Sequence, residues 1–204
     1  MNISIVDYHV QDNRYNLYDV YYYNDKIQTM VTSDPNMVTQ WITDVESAYG
    51  PFLNVGLDIE WRTSFSIHQN PAATLQLCIG CRCLIFQLLY CMYIPRSLVT
   101  FLNNNAFYGV GIQGDVDKLW GDHGVMVGNV VDLRGWAFDT YGMRELRNEG
   151  LKGLCSFLLG KELEKPKRIS LSRWDNEWLG MEQVRYACLD AFVSYEIGRH
   201  LGTD

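Results

Sequence analysis

Within the run 53–62, L-N-V-G-L-D-I-E-W-R, two acids stand two residues apart in an otherwise apolar segment. An extended strand sends residues i and i+2 to the same face, about 6 to 7 Å apart along the chain. Asp58 and Glu60 are therefore predicted on one face, with Leu57, Ile59 and Trp61 on the other. Two carboxylates held together in an apolar strand repel each other and are costly to desolvate, so they call for a cation, a proton or water. A hard divalent metal meets that need, and so does water at a solvated sheet edge. Residues elsewhere in the chain have to decide between the two.

At 204 residues the chain is expected to form one domain with a substantial core. Its 48% hydrophobic and 20% charged residues exclude extended disorder. The first residues lack the basic-then-apolar order of a secretory leader. The longest apolar run, 83–94, is short for a membrane span and contains Gln87. The expectation is a soluble, intracellular protein, nuclear or cytoplasmic, without membrane association. Its six cysteines are then expected reduced and buried. The C-x-x-C-x-C of Cys78, Cys81 and Cys83 lacks the second spaced pair of a zinc site, and Gly80 falls at an expected hairpin turn between T-L-Q-L-C-I and R-C-L-I-F-Q. A net charge of −7 excludes a nonspecific basic nucleic-acid coat. It does not exclude an enzyme that grips phosphate through metals held by acids.

Alternation from Tyr15 to Tyr23, with breaks at Asp12-Asn13 and Asn24-Asp25, predicts two or three N-terminal strands. Ser33-Asp34-Pro35 starts a helix whose apolar positions are Val38, Trp41, Ile42 and Val45, stopped at Gly50-Pro51. A second helix opens at Ile94-Pro95 with Leu98, Val99 and Leu102 as its apolar face. A strand is expected over 106–112, with Asp115 at its end where a helix carrying Val116, Leu119 and Trp120 begins. The intervening G-V-G-I-Q-G has the outline of a dinucleotide loop but follows antiparallel hairpins instead of opening a βαβ unit. Asp115 there is equally an N-cap. A further strand is expected over 130–137 with Asp132 and Arg134, a helix over 150–159 ending at Gly160, and a last helix from about Met181 to Leu201. Lys161, Lys165, Lys167, Arg168 and Arg173 concentrate positive charge in one loop, read as a solvated segment or as phosphate contacts. On the last helix Tyr186 and Asp190 are i, i+4 neighbours, which by themselves read as a phenol at the core margin beside a solvated acid.

Taken together, Asp58-x-Glu60, Asp115 and Tyr186-A-C-L-Asp190 resemble, in this order, the DEDD or DnaQ-like 3′-to-5′ exonuclease superfamily in its tyrosine-containing branch. The likeness is strongest to the Werner-type exonuclease domains, where stretches similar to V-G-L-D-I-E-W, G-V-G-I-Q-G-D, L-L-G-K-E-L and Y-A-C-L-D-A occur in register. It spans essentially the whole chain, most clearly 53–201. The resemblance implies a single exonuclease domain over 1–204, with the strands and helix of 1–50 preceding a motif-bearing core at 53–202. It implies an α/β, RNase H-like fold, a central mixed β-sheet flanked by helices on both faces.

By the same resemblance Asp58, Glu60, Asp115, Tyr186 and Asp190 form the catalytic set. The four acids would hold two Mg²⁺ or Mn²⁺ ions, with Asp58 shared and Asp115 acting partly through water, and Tyr186 would orient the attacking water. The implied partner is nucleic acid, DNA or RNA with a 3′ end, contacted by Arg168, Arg173 and Trp174, with Trp61 a further stacking candidate. A homo-oligomer through the open edge of the tyrosine-rich strands is a further expectation. Asp117 departs from the family pattern, which has an aromatic residue there, and adds negative charge near the phosphate path. The alternative is a noncatalytic nucleic-acid-binding or scaffold protein retaining the fold. Such a protein is expected to have lost at least one of these five residues, and all five are present.

Overall fold

An antiparallel meander of β1 (Ile3–Tyr8), β2 (Tyr15–Tyr22) and β3 (Asp25–Thr32) opens the chain, as the tyrosine alternation predicts. The structure is a computed structural model that describes residues 3–64 and 66–202. Phe65 and the two residues at each terminus lie outside the described residues. After α1 (Pro35–Tyr49) come β4 (Asn54–Glu60), β5 (Thr74–Ile79) and β6 (Arg82–Gln87), then β7 (Ala106–Gly109) and β8 (Asn129–Asp132). All eight form one sheet in the order β1-β2-β3-β6-β5-β4-β7-β8. β4, β5 and β6 are antiparallel neighbours, whereas β3–β6, β4–β7 and β7–β8 pair in parallel. Parallel neighbours need crossovers, and helices supply them on the sheet faces.

α1, α2 (Arg96–Asn104) and α3 (Ile112–His123) cover one face, packing on Leu57, Ile59, Leu75, Leu77 and Phe86. α4 (Leu133–Tyr141), α5 (Leu151–Leu159) and α7 (Met181–Leu201) cover the other, with the single turn α6 (Lys167–Ser170) beside them. The pleat alternation of β4 thus separates its residues as expected. Leu57 and Ile59 join the first core, while Gly56, Asp58 and Glu60 turn to α7. A Cβ on Gly56 would stand 1.9 Å from the Ala191 carbonyl oxygen and 2.6 Å from the Tyr195 nitrogen. Glycine here lets the α7 backbone lie directly on β4, two residues from Asp58.

Asp34 caps α1, accepting from the Asn36 N–H at 2.7 Å, and Gly80 turns the cysteine hairpin at φ 52°. All six thiols are free, with Cys78 and Cys83 facing each other across β5 and β6, but Cys81 is exposed at the hairpin and Cys91 half-buried, against the expectation that all are buried. Three further expectations need correction. Phe101, not Val99, completes the buried face of α2, and Val99 is exposed. The strand from Ala106 stops at Gly109, and Ile112 is already the first residue of α3 because Gly111 turns the chain at φ 71°. The strand expected over 130–137 ends at Asp132, whose carboxylate accepts from the Arg134 N–H at 3.0 Å and caps α4. A local capping bond overrides the alternation there. No helix of the described residues is long and apolar enough to cross a membrane.

Candidate active site

Strand β4 and helix α7 bring the acids together. Asp58 and Glu60 project from one face of β4, and Tyr186 and Asp190, one turn apart on α7, descend onto it. Carboxylate oxygens of Asp58, Glu60 and Asp190 all lie within 4.8 Å of one another. They line a cleft of about 250 Å³ together with Trp61, Val110, Asp115, Lys165, Ser170 and Tyr186. Asp190 is not solvated but 1% exposed, and Tyr186 is buried with it. Asp115 reaches the same cleft from the first turn of α3, outside the tight group of three and in neither the strand-end nor the N-cap position expected for it. Its turn is held by Asp132, whose Oδ2 accepts from the Gly111 N–H at 3.0 Å and meets the Arg134 guanidinium at 2.7 Å.

The electrostatics follow from this crowding. Burial, then the charge of Asp190, pushes the Asp58 carboxyl well above the usual carboxylate range, and burial with the charge of Asp58 does the same to Glu60. Asp190 is raised by burial against the pull of Lys165, and burial pushes Asp115 up to about 7. Burial and the Asp190 charge raise the Tyr186 phenol, so its hydroxyl stays protonated at neutral pH. Such a group of carboxylates is short of positive charge, and an all-oxygen, anionic donor set suits hard divalent cations such as Mg²⁺ or Mn²⁺.

One lysine partly supplies that charge. Lys165 Nζ lies 2.7 Å from Asp190 Oδ2 and 5.3 Å from the centre of the Tyr186 ring. Of the five cations in 161–173 it is the one that lines the cleft, and its spacing in sequence does not set it apart from the others. Pro166, which biases the preceding residue to an extended backbone, is the nearest thing to a local signal.

The expected substrate contacts fare differently. Arg168 is exposed and held by Glu182, and Arg173 pairs with Asp175 at 2.9 Å, so neither lines the cleft. Trp174 is a correction: it is 1% exposed, its indole N–H donates to the Ser170 carbonyl at 3.2 Å, and its ring packs 6.0 Å from that of Tyr186. No base can stack on it; it backs the tyrosine instead. Trp61 is half-buried at the cleft edge, with Lys118 Nζ 5.0 Å from its ring centre. Asp117 is exposed and accepts from Gln113 Nε2 at 2.8 Å.

A mixed sheet of this order, with carboxylates gathered where the central β4 meets the last helix, defines an α/β protein of RNase H-like fold with an acidic metal-type site. A sequence profile described as 3′-5′ exonuclease matches residues 30–204, and the chain belongs to that family. It is similar to a 3′-5′ exonuclease of Arabidopsis thaliana, 36% identical over 147 residues, which cover 70% of this chain and 50% of the relative. It is also similar to the bifunctional 3′-5′ exonuclease/ATP-dependent helicase WRN of Mus musculus, 34% identical over 152 residues, 72% of this chain and 11% of that protein. The chain therefore spans half the length of the first relative and a small part of the second. Among solved structures, Escherichia coli RNase D shares the fold, with a TM-score of 0.71 at 16% identity over 85% of this chain and 44% of the other.

Proposed function

We propose that this chain is an exonuclease module that hydrolyses the terminal phosphodiester bond at the 3′ end of a nucleic-acid strand, with two Mg²⁺ or Mn²⁺ ions held by Asp58, Glu60, Asp115 and Asp190. The observation that carries the reading is the gathering of the Asp58, Glu60 and Asp190 carboxylate oxygens within 4.8 Å of one another. When bound, such ions supply a lowered pKa for the attacking water and neutralisation of the leaving 3′ oxygen.

The chain's own groups do the rest. Asp58, Glu60 and Asp190 would hold the ions directly, and Asp115, outside the tight group of three but on the same cleft, would complete the donor set. The protonated Tyr186 hydroxyl orients the water for in-line attack, a positioning role that does not require it to accept the proton. Trp174 packs behind the Tyr186 ring and restricts where that hydroxyl can point. Lys165, beside Asp190, carries an ammonium to the non-bridging oxygens of the scissile phosphate. The exposed Arg168 and Arg173 sit in the same segment and contact phosphates further along the strand.

The test is digestion of 5′-labelled DNA and RNA strands, single-stranded and 3′-recessed, in Mg²⁺ or Mn²⁺. Stepwise shortening from the 3′ end, abolished in the Asp58→Ala, Glu60→Ala double variant and reduced at least 100-fold in Glu60→Gln, is expected; shortening that survives the double variant sinks the reading. A second reading, a noncatalytic nucleic-acid-binding scaffold with the exonuclease fold, draws on the Lys165–Asp190 pair, which neutralises one acid without a metal. Calorimetric titration with Mn²⁺ separates the two, since the scaffold takes up none.

A further inference from the structure

Beneath the acids, β5 carries two buried polar side chains on the same sheet face. Gln76 is the register partner of Asp58, and Thr74 that of Glu60; both are 0% exposed. Directly opposed residues of antiparallel strands share a face with Cβ atoms about 5 Å apart. Gln76 Nε2 and Thr74 Oγ1 stand 2.6 Å apart, while the other amide atom, Oε1, has no hydrogen-bond partner among the described residues. A buried amide carbonyl left unpaired has given up its bond to water and gained none in return, which costs free energy. An apolar side chain at this strand position would avoid that cost, so a demand other than packing accounts for the amide.

The contact length favours the amide turned with its oxygen toward Thr74. The two ends of a glutamine amide differ only by a half-turn of the last torsion and are assigned by their partners. A separation of 2.6 Å is ordinary for O–H···O and short for N–H···O. With the Thr74 hydroxyl donating to the amide oxygen, the NH₂ end of Gln76 takes the unpartnered place. That end then lies on the face that carries Asp58, a carboxylate crowded by other carboxylates and in need of donors.

We propose that Gln76 is a positioning residue of the acid site: its amide N–H groups donate to the Asp58 carboxylate and fix which oxygen faces the cleft, and the Thr74 hydroxyl fixes the amide. The inference rests on the metal-site reading above. Carboxylates that hold metals are oriented by outer hydrogen bonds, and losing one typically weakens metal binding about 10- to 100-fold. A purely structural Gln76, bracing β5 through Thr74 alone, has no reason to affect the metal.

The experiment measures Mn²⁺ binding by calorimetry, and the melting temperature in EDTA, for the whole chain and for Gln76→Met and Thr74→Val. Methionine keeps the length of the side chain without its donors, and valine suits a strand. The expected result is Mn²⁺ affinity about 10- to 100-fold weaker in Gln76→Met, and weakened in Thr74→Val, in variants whose metal-free melt remains a single cooperative transition. Wild-type Mn²⁺ affinity in Gln76→Met overturns the proposal. If that variant does not fold, unchanged affinity in Thr74→Val overturns it instead. Failure of the unsubstituted chain to bind Mn²⁺ overturns the metal-site reading and this inference with it, whereas binding that ignores both substitutions overturns this inference alone.

Discussion

Lys165 Nζ stands 2.7 Å from Asp190 Oδ2, joining a loop cation to a helix acid that is almost wholly buried. The pair partly offsets the negative charge gathered at the end of β4. It also leaves a cation within reach of anything bound in the cleft. Replacing Lys165 with Met removes the offset, and partial solvent access to the lysine reduces the cost from that of a fully buried pair to about 1 to 3 kcal/mol. Thermal melts in EDTA at pH 8 should show this loss, and saturating Mn²⁺ should recover most of it. Exonuclease turnover should fall about 10- to 100-fold with metal saturating, in line with loss of a charge-assisted contact to phosphate. Unchanged turnover would remove Lys165 from the proposed phosphate contact.

The acids also set a pH dependence. Asp58, Glu60, Asp115 and Asp190 all titrate higher in the folded chain than in the unfolded one, with Asp115 at about 7. Between the ordinary carboxylate range and the raised values the folded state holds more protons than the unfolded state, so stability from these groups falls as pH rises. The metal-free chain should therefore melt at a lower temperature at pH 8 than at pH 5. Mn²⁺ affinity should run the other way, rising up to about tenfold per pH unit for each proton displaced. Calorimetry at pH 5.5, 6.5 and 7.5 checks the slope, and an affinity independent of pH would contradict the protonated cluster.

Gly56→Ala tests how the helix is seated. The added methyl would meet backbone atoms of Ala191 and Tyr195 at 1.9 and 2.6 Å, and backbone cannot rotate away as a side chain can. Overpacking of this kind costs about 1 to 3 kcal/mol or more. Activity should fall further than stability, about 100-fold, because a shift of about 1 Å in α7 moves both Tyr186 and Asp190 off Asp58. A variant that is destabilised yet fully active would show that α7 adjusts without moving its acid.

Tyr186→Phe should lower turnover about 10- to 100-fold while leaving Mn²⁺ affinity unchanged, since the hydroxyl is assigned to water and not to the metals. Trp174→Phe, which keeps an aromatic behind Tyr186 but loses the bond to Ser170, should cost stability and lower turnover less than Tyr186→Phe does. Steady-state kinetics beside calorimetry distinguish these effects. Weaker metal binding in Tyr186→Phe would place the phenol among the ligands instead.

Periodicity over neighbouring residues determined much of this protein from sequence alone. The two-residue spacing of Asp58 and Glu60 on a strand, the one-turn spacing of Tyr186 and Asp190, the Asp34 cap, the Gly80 hairpin and the family motifs are all written in contiguous residues. The tertiary structure decided what depends on residues far apart in the chain. It brought Lys165, of five similar cations, onto the acid cleft, buried Trp174 behind Tyr186, and seated α7 on Gly56, far away in the chain. The place of Asp115 in the first turn of α3 and the end of β8 at the Asp132 cap were local as well, set by the Gly111 turn and the Asp132–Arg134 bond but masked by the apolar alternation around them. The physical reason is that local hydrogen bonding and alternation are fixed by near neighbours, whereas burial of a particular charge or ring is fixed by whichever distant surface packs against it.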